Sequence, residues 1–287
     1  MKRRKIWAGL SSAVLAAAPI VAHAASTQAA PATLSVKAPG EGDVRLAQHK
    51  GHAEVAKAQA GGEGEGEGEG GAAAALPPAL KFYRDIGLIR GHLLVGGELV
   101  EAGRWADALP HFAHPEEEIY PGLRDGLKTF NVPPFQIALK ALTQTVKAKN
   151  KEAYQRARAA LDERLSAAEA SVRSKEQDVP AFTLAAVLEI LQTSTEEYEE
   201  AIKNGRIANV VEYQDARGFV FEADRMLNGV SDSLSAKNPD AMKAIRASLA
   251  DLKSTFPTPM PPKQAVKDVG AYLSDVSKIE LQLGSLK

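Results

Sequence analysis

From Pro77 onward, apolar residues recur at steps of three and four. In the first such segment Ile86, Ile89, Leu93 and Val100 form one stripe, and Leu88, His92, Val95 and Leu99 form the next. That spacing stacks side chains on one face of a helix. The pattern returns in Phe135, Leu139, Leu142, Val146 and in Tyr154, Leu161, Leu165, Ala168, Val172. It continues through Leu184, Val187, Leu191, Tyr198, Ile202 and then Val210, Tyr213, Val220, Leu227. Met242, Ile245, Leu249, Leu252, Phe256 and Val266, Val269, Leu273, Val276 complete the series. Strand-type alternation is nowhere sustained, so the pattern predicts an all-α helical bundle of about seven or eight helices. Punctuation agrees with it. Pro77-Pro78 opens the first helix, Asn228-Gly229 closes one, and Asn238-Pro239 supplies a cap and a first-turn proline for the next.

The two halves carry matching signatures. Arg90-Gly91-His92 recurs as Arg217-Gly218-Phe219. Thr129-Phe130 followed by Pro133-Pro134-Phe135-Gln136 recurs as Thr255-Phe256 followed by Pro261-Pro262-Lys263-Gln264. The pairs keep one order and one approximate separation, which predicts two related bundles, over residues 77–205 and 206–287.

The chain upstream has a different character. Lys2 to Lys5 form a basic start, Ile6 to Val21 an apolar stretch, and Ala22-His23-Ala24 a small-x-small cleavage pattern. Residues 1–24 thus have the design of a secretory signal peptide cleaved after Ala24, and the expected location is a bacterial periplasm. Residues 25–76, with the run Gly61-Gly-Glu-Gly-Glu-Gly-Glu-Gly-Glu-Gly-Gly71, read as a disordered Ala/Pro- and Gly-Glu-rich linker, because nothing there offers an apolar face to bury. No later segment has the length of a membrane span, so the cleaved chain is not expected to cross a membrane.

The chain has no cysteine. This excludes thiolate ligands, a cysteine nucleophile, a cysteine lipid anchor and covalent c-type haem attachment. The formal charge of −1 becomes −5 once the four basic residues of the leader are removed. A net negative chain is a poor partner for nucleic acid.

The candidate chemistry lies in one window. The histidines of the folded body are His92, His111 and His114, and His111, His114 and Glu118 are spaced i, i+3, i+7, along one helical stripe. Two imidazoles and a carboxylate are a common shell for zinc, copper or iron, and His92 from the preceding helix can complete it. Pro115 is well suited to start a new helix, with His114 just outside it, and this leaves Glu117 as eligible as Glu118. Structural roles also fit these residues: His92 as a packing histidine, His114 as a helix cap, and Glu116 to Glu118 as an acidic first turn favouring the helix dipole. Gly96, Gly103, Ala108 and Phe112 resemble a single tetratricopeptide unit, which implies a helix hairpin bringing His92 toward His111. In the second half, Glu212, Asp215, Arg217 and Asp224 suggest an inter-helix ion network, with Glu212 and Asp215 pairing to Arg217 or Arg225.

Across most of the folded region the chain resembles the imelysin-like family, exported bacterial helical proteins of two related bundles, some of them components of iron-uptake systems. The features that carry the resemblance are the leader, the duplicated helical body, and Gly91-His92 followed by Glu98. The family's Gly-x-His-x-x-Glu motif is altered here: Gly91 directly precedes His92, and Val95 stands three residues after it. The resemblance implies metal-ligand roles for His92 and Glu98.

Together these features predict a periplasmic, non-enzymatic metal-binding protein serving iron or copper uptake or homeostasis. The expected ligands are His92, His111, His114, Glu117, Glu118 and Glu98, and the expected partners are a transition metal ion (iron, copper or zinc) and an inner-membrane transport component. The alternative is a helical scaffold that binds a protein or envelope partner without metal. Neither a HExxH motif nor a GxSxG elbow supports hydrolysis.

Overall fold

A computed structural model describes residues 76–286; the expected signal peptide and all but the last residue of the expected linker lie outside the described residues. In chain order the elements are α1 (Pro78–Glu101), α2 (Trp105–His114), a π-helical turn (Pro115–Ile119), α3 (Tyr120–Thr129), α4 (Gln136–Lys147) and α5 (Lys151–Arg173). They continue with α6 (Val179–Ala201), a small hairpin of β1 (Ile202–Lys203) and β2 (Arg206–Ile207), α7 (Val210–Asn228), α8 (Ser231–Lys237), α9 (Pro239–Ser254) and α10 (Val269–Gln282). A short 3₁₀ turn, Leu283–Ser285, comes after α10. The all-α expectation holds. Two short pieces, α3 and α8, lie within segments where the periodicity gives no separate helix. No helix among the described residues is long and apolar enough to cross a membrane.

Helix starts follow from side-chain chemistry. Asn150, Asp178, Asn238 and Asp268 each accept a hydrogen bond from the backbone N–H three residues on, and Asn209 accepts from Val211 N. Each satisfies a donor that the first helical turn leaves without an intrahelical partner. The hairpin turns at Asn204 and Gly205, with φ of 54° and 72°. Two successive positive-φ residues match the twist of a two-residue hairpin, which asparagine and glycine tolerate best. The expected boundary at 205/206 lies at this turn, between α6 and α7, and the hydrophobic core runs across it.

One hydrophobic core runs through both halves, from Phe82 on α1 to Leu286 at the C-terminal end. At its centre α1 and α7 cross. Gly91 and Gly218, the matched glycines of the two Arg-Gly pairs, meet there. A Cβ on Gly218 would lie 2.3 Å from the Gly91 carbonyl oxygen, and one on Gly91 would lie 2.6 Å from Phe219 Cδ1. The backbones are therefore packed directly on each other.

The charged residues beside the crossing are paired. Arg217 grips Glu98 through Nε and Nη2, both at 2.8 Å, and stacks 4.2 Å from the Phe221 ring. Arg90 reaches Glu169 on α5 at 2.6 Å, and Arg225 bridges Glu169 at 2.8 Å and Glu222 at 2.6 Å.

Gly218→Ala should destabilise the fold by about 2–3 kcal/mol, because the new methyl meets backbone that has nowhere to retreat. Gly284→Ala, where a Cβ meets nothing within 4 Å, should be nearly neutral. Urea unfolding of both variants checks this; equal midpoints would show that the crossing is not tight.

Candidate functional site

The crossing of α1 and α7 sets His92 beside Asp215. His92 immediately follows Gly91, and Asp215 lies three residues before Gly218, so both side chains sit next to the point of closest approach. α2 folds back along α1, as the hairpin expectation required. Its close fit is at Gly96, where a Cβ would stand 2.8 Å from Phe112 and 3.2 Å from His111 Cβ. That packing delivers His111 and His114 to the same carboxylate.

Asp215 is the hub. Its Oδ1 accepts from His92 Nδ1 at 2.6 Å and from His111 Nδ1 at 2.7 Å, and its Oδ2 faces His114 Nδ1 at 3.7 Å. The His92 ring stands edge-on to Phe219, with centroids 5.0 Å apart, and edge-on to His114 at 5.7 Å. His92, His111 and Asp215 are buried, while His114 is half-buried.

His111 has a different task from the other two. Gln214 Nε2 donates to the Pro259 carbonyl at 3.1 Å, with Met260 Sδ 3.7 Å away, and this fixes the orientation of the amide. Gln214 Oε1 consequently faces His111 Nε2 at 2.9 Å, so each His111 ring nitrogen already has a protein partner. Nδ1 donates to Asp215. With both nitrogens committed, His111 orients the carboxylate instead of offering a lone pair.

Among the described residues, those that can share an ion are therefore His92, His114 and Asp215, each presenting one donor atom, all within 4.8 Å of one another. Donors at about 2.0–2.2 Å from a common ion lie some 3–4 Å apart, so the three need only draw in modestly. Two imidazole nitrogens and one carboxylate oxygen make a set of intermediate hardness, the type that Fe(II) takes in two-histidine, one-carboxylate sites.

Electrostatics support the same hub. Burial alone would raise the Asp215 carboxyl, but the charges of His92 and His111 and the hydrogen bonds from His111 and His114 outweigh it, holding the group well below the usual carboxylate range. For His114, burial favours the neutral ring. The Asp215 carboxylate beside it, helped by the charge of Glu118 and opposed by that of His92, nevertheless raises its pKa above 6.5.

The six residues singled out from sequence separate into two groups. The structure brings His92, His111 and His114 together, with the first and last in the ligand set. The three glutamates are not part of that cluster. Glu98 lies on the same helix as His92 but is turned to Arg217. Glu117 and Glu118 are exposed on the π-helical turn. His114 is not a cap: it is the last residue of α2, with helical φ and ψ and no side-chain capping bond, and the chain continues through Pro115 without a break.

Asp215 and Gln214 are site residues that the sequence reading misses. Asp215 belongs to the histidines and not to the arginines, and Glu212 bonds Asn209. The Arg-Gly match holds the missing signal, since aligned glycines that pack together bring Asp215 to His92.

Residues 173–286 match the family described as the iron permease-associated 4-helix bundle domain. This stretch runs through α6 to α10 and includes Gln214 and Asp215, but none of the three histidines. The similarity is thus to a helical, iron-related family other than the imelysin-like one expected from the leader, the duplication and Gly91-His92. No curated protein and no solved structure matches the chain.

The raised His114 pKa has a stability consequence with a definite sign. A histidine whose pKa is higher in the folded state contributes stability that is complete below about pH 6.5 and is lost as pH rises through the folded value. Metal-free protein should therefore lose stability on going from pH 6 to pH 8, and His114→Gln should flatten that dependence. Denaturant melts across this range in chelator test the point; an unchanged slope in the variant would show that another group is responsible.

Proposed function

We propose that this chain is an exported, non-enzymatic protein of the bacterial periplasm that binds a transition metal ion as cargo, iron foremost, for uptake. His92 and His114 would supply nitrogen donors and Asp215 an oxygen donor, with His111 holding the carboxylate in place. The observation that carries this reading is the convergence of those three donors within 4.8 Å, two from the first half of the chain and one from the second. The match of residues 173–286 to an iron permease-associated domain supports iron over copper or zinc, and supports hand-over to a membrane transport component. The basic and apolar start followed by Ala22-His23-Ala24 supports export.

Ligand histidines must be deprotonated to bind, so metal competes with protons. Affinity should rise with pH through the raised His114 pKa, and should already be weakened somewhat above pH 6.5 on the way down.

Calorimetric titration of the mature chain with Fe(II) under anaerobic conditions should show one ion per chain. His114→Ala and Asp215→Asn should each weaken binding by about 100-fold or more, and His111→Ala by about 10- to 100-fold, the range seen when a group supporting a ligand is removed. A wild-type chain that binds no divalent metal sinks the proposal and leaves the helical scaffold as the better reading.

A further inference from the structure

Among the described residues of the site, His114 is the one that reaches solvent. The side chains of His92, His111 and Asp215 are 1%, 0% and 2% exposed, whereas that of His114 is 26% exposed. An ion arriving from solvent therefore meets His114 first. The chain then enters the π-helical turn, in which the Tyr120 N–H bonds back to the Pro115 carbonyl, five residues earlier. Such turns insert one extra residue into a helix and re-aim the side chains beyond it, and they are frequent at functional sites.

The three glutamates on this turn are not equivalent. Glu116 is held by Gln136 Nε2 at 2.5 Å and lies 3.4 Å from Lys140 Nζ, so α4 takes its charge. Glu117 and Glu118 are both exposed, and Glu118, four residues beyond His114, lies about one helical turn from it. Its charge is felt at His114.

Resting on the metal-binding reading, we propose that Glu118 is the entry ligand of this site, capturing a hydrated divalent cation and passing it inward across His114. The cargo it selects is the free divalent ion. An anionic ferric chelate is repelled by the same carboxylate. The inner donors set affinity; the carboxylate outside them sets the rate of capture, because a charge at the mouth of a site raises the local concentration of counter-ions.

The test is stopped-flow association of Co(II) with the full chain at low ionic strength. Glu118→Gln should slow association about 3- to 10-fold and reduce its salt dependence, with little change in dissociation. Asp125→Asn removes the same charge from a site whose side chain is 97% exposed on α3, and it should change association by less than about two-fold. Fe(III)-citrate offered at the same concentration should not be taken up on this timescale. Glu118→Gln associating as fast as wild type, or no slower than Asp125→Asn, overturns the entry role while the metal-binding reading stands. Uptake of Fe(III)-citrate as fast as Co(II) overturns the cargo assignment. Failure of the wild-type chain to bind Co(II) or Fe(II) at all removes the metal-binding reading, and this inference with it.

Discussion

The direct backbone packing of Gly91 on Gly218 is the contact on which the geometry of the site depends. With no Cβ between them, α1 and α7 approach closely enough for a buried carboxylate on one to accept from an imidazole on the other at 2.6 Å. A methyl group at either glycine would have to push the helices apart, and hydrogen-bond strength falls off steeply over such distances. The same approach allows the edge-on contact of His92 with Phe219 and the bidentate grip of Arg217 on Glu98. Packing in the core thus sets the electrostatics of the site, as expected for a close-packed interior that passes on small displacements.

Asp215 is a buried charge, and such groups persist only when compensated. Here the compensation is asymmetric. One oxygen takes two imidazole nitrogens, and the other is left facing the half-buried ring of His114. The arginines nearby are spent elsewhere, Arg217 on Glu98 and Arg90 and Arg225 on Glu169. None of them competes for the carboxylate, which remains available to whatever the histidines face.

Much of this is legible in the sequence, for identifiable reasons. Apolar residues at steps of three and four report burial on a helix face directly, so α1 and α4 to α7 can be drawn from residues such as Ile86, Leu142 and Leu191. The Arg-Gly pairs are visible because glycine inside a helix is costly and stands out. The hairpin of α1 and α2 follows from the small residues Gly96 and Ala108. Asp215 reads as part of an ion network because an arginine two residues away is an obvious partner on paper, whereas His92 is 123 positions distant. The π-helical turn is hidden for a local reason. Pro115 is as good a first residue for a new helix as it is for one that continues with altered winding, and residue type does not separate the two.

The separation between His92 and Asp215 has a consequence for folding. The hydrogen bond between them closes a loop spanning 123 positions, and His111 closes another of 104 onto the same carboxylate oxygen. Closing long loops is entropically costly, though the cost grows only logarithmically with length, so these contacts should form late in folding. Any species that ties an imidazole to that carboxylate would act as a clasp between chain segments remote in sequence, slowing the parting of the two halves. Neither half holds the complete set of groups, and one core runs through both, so the site exists only while the two stay packed together.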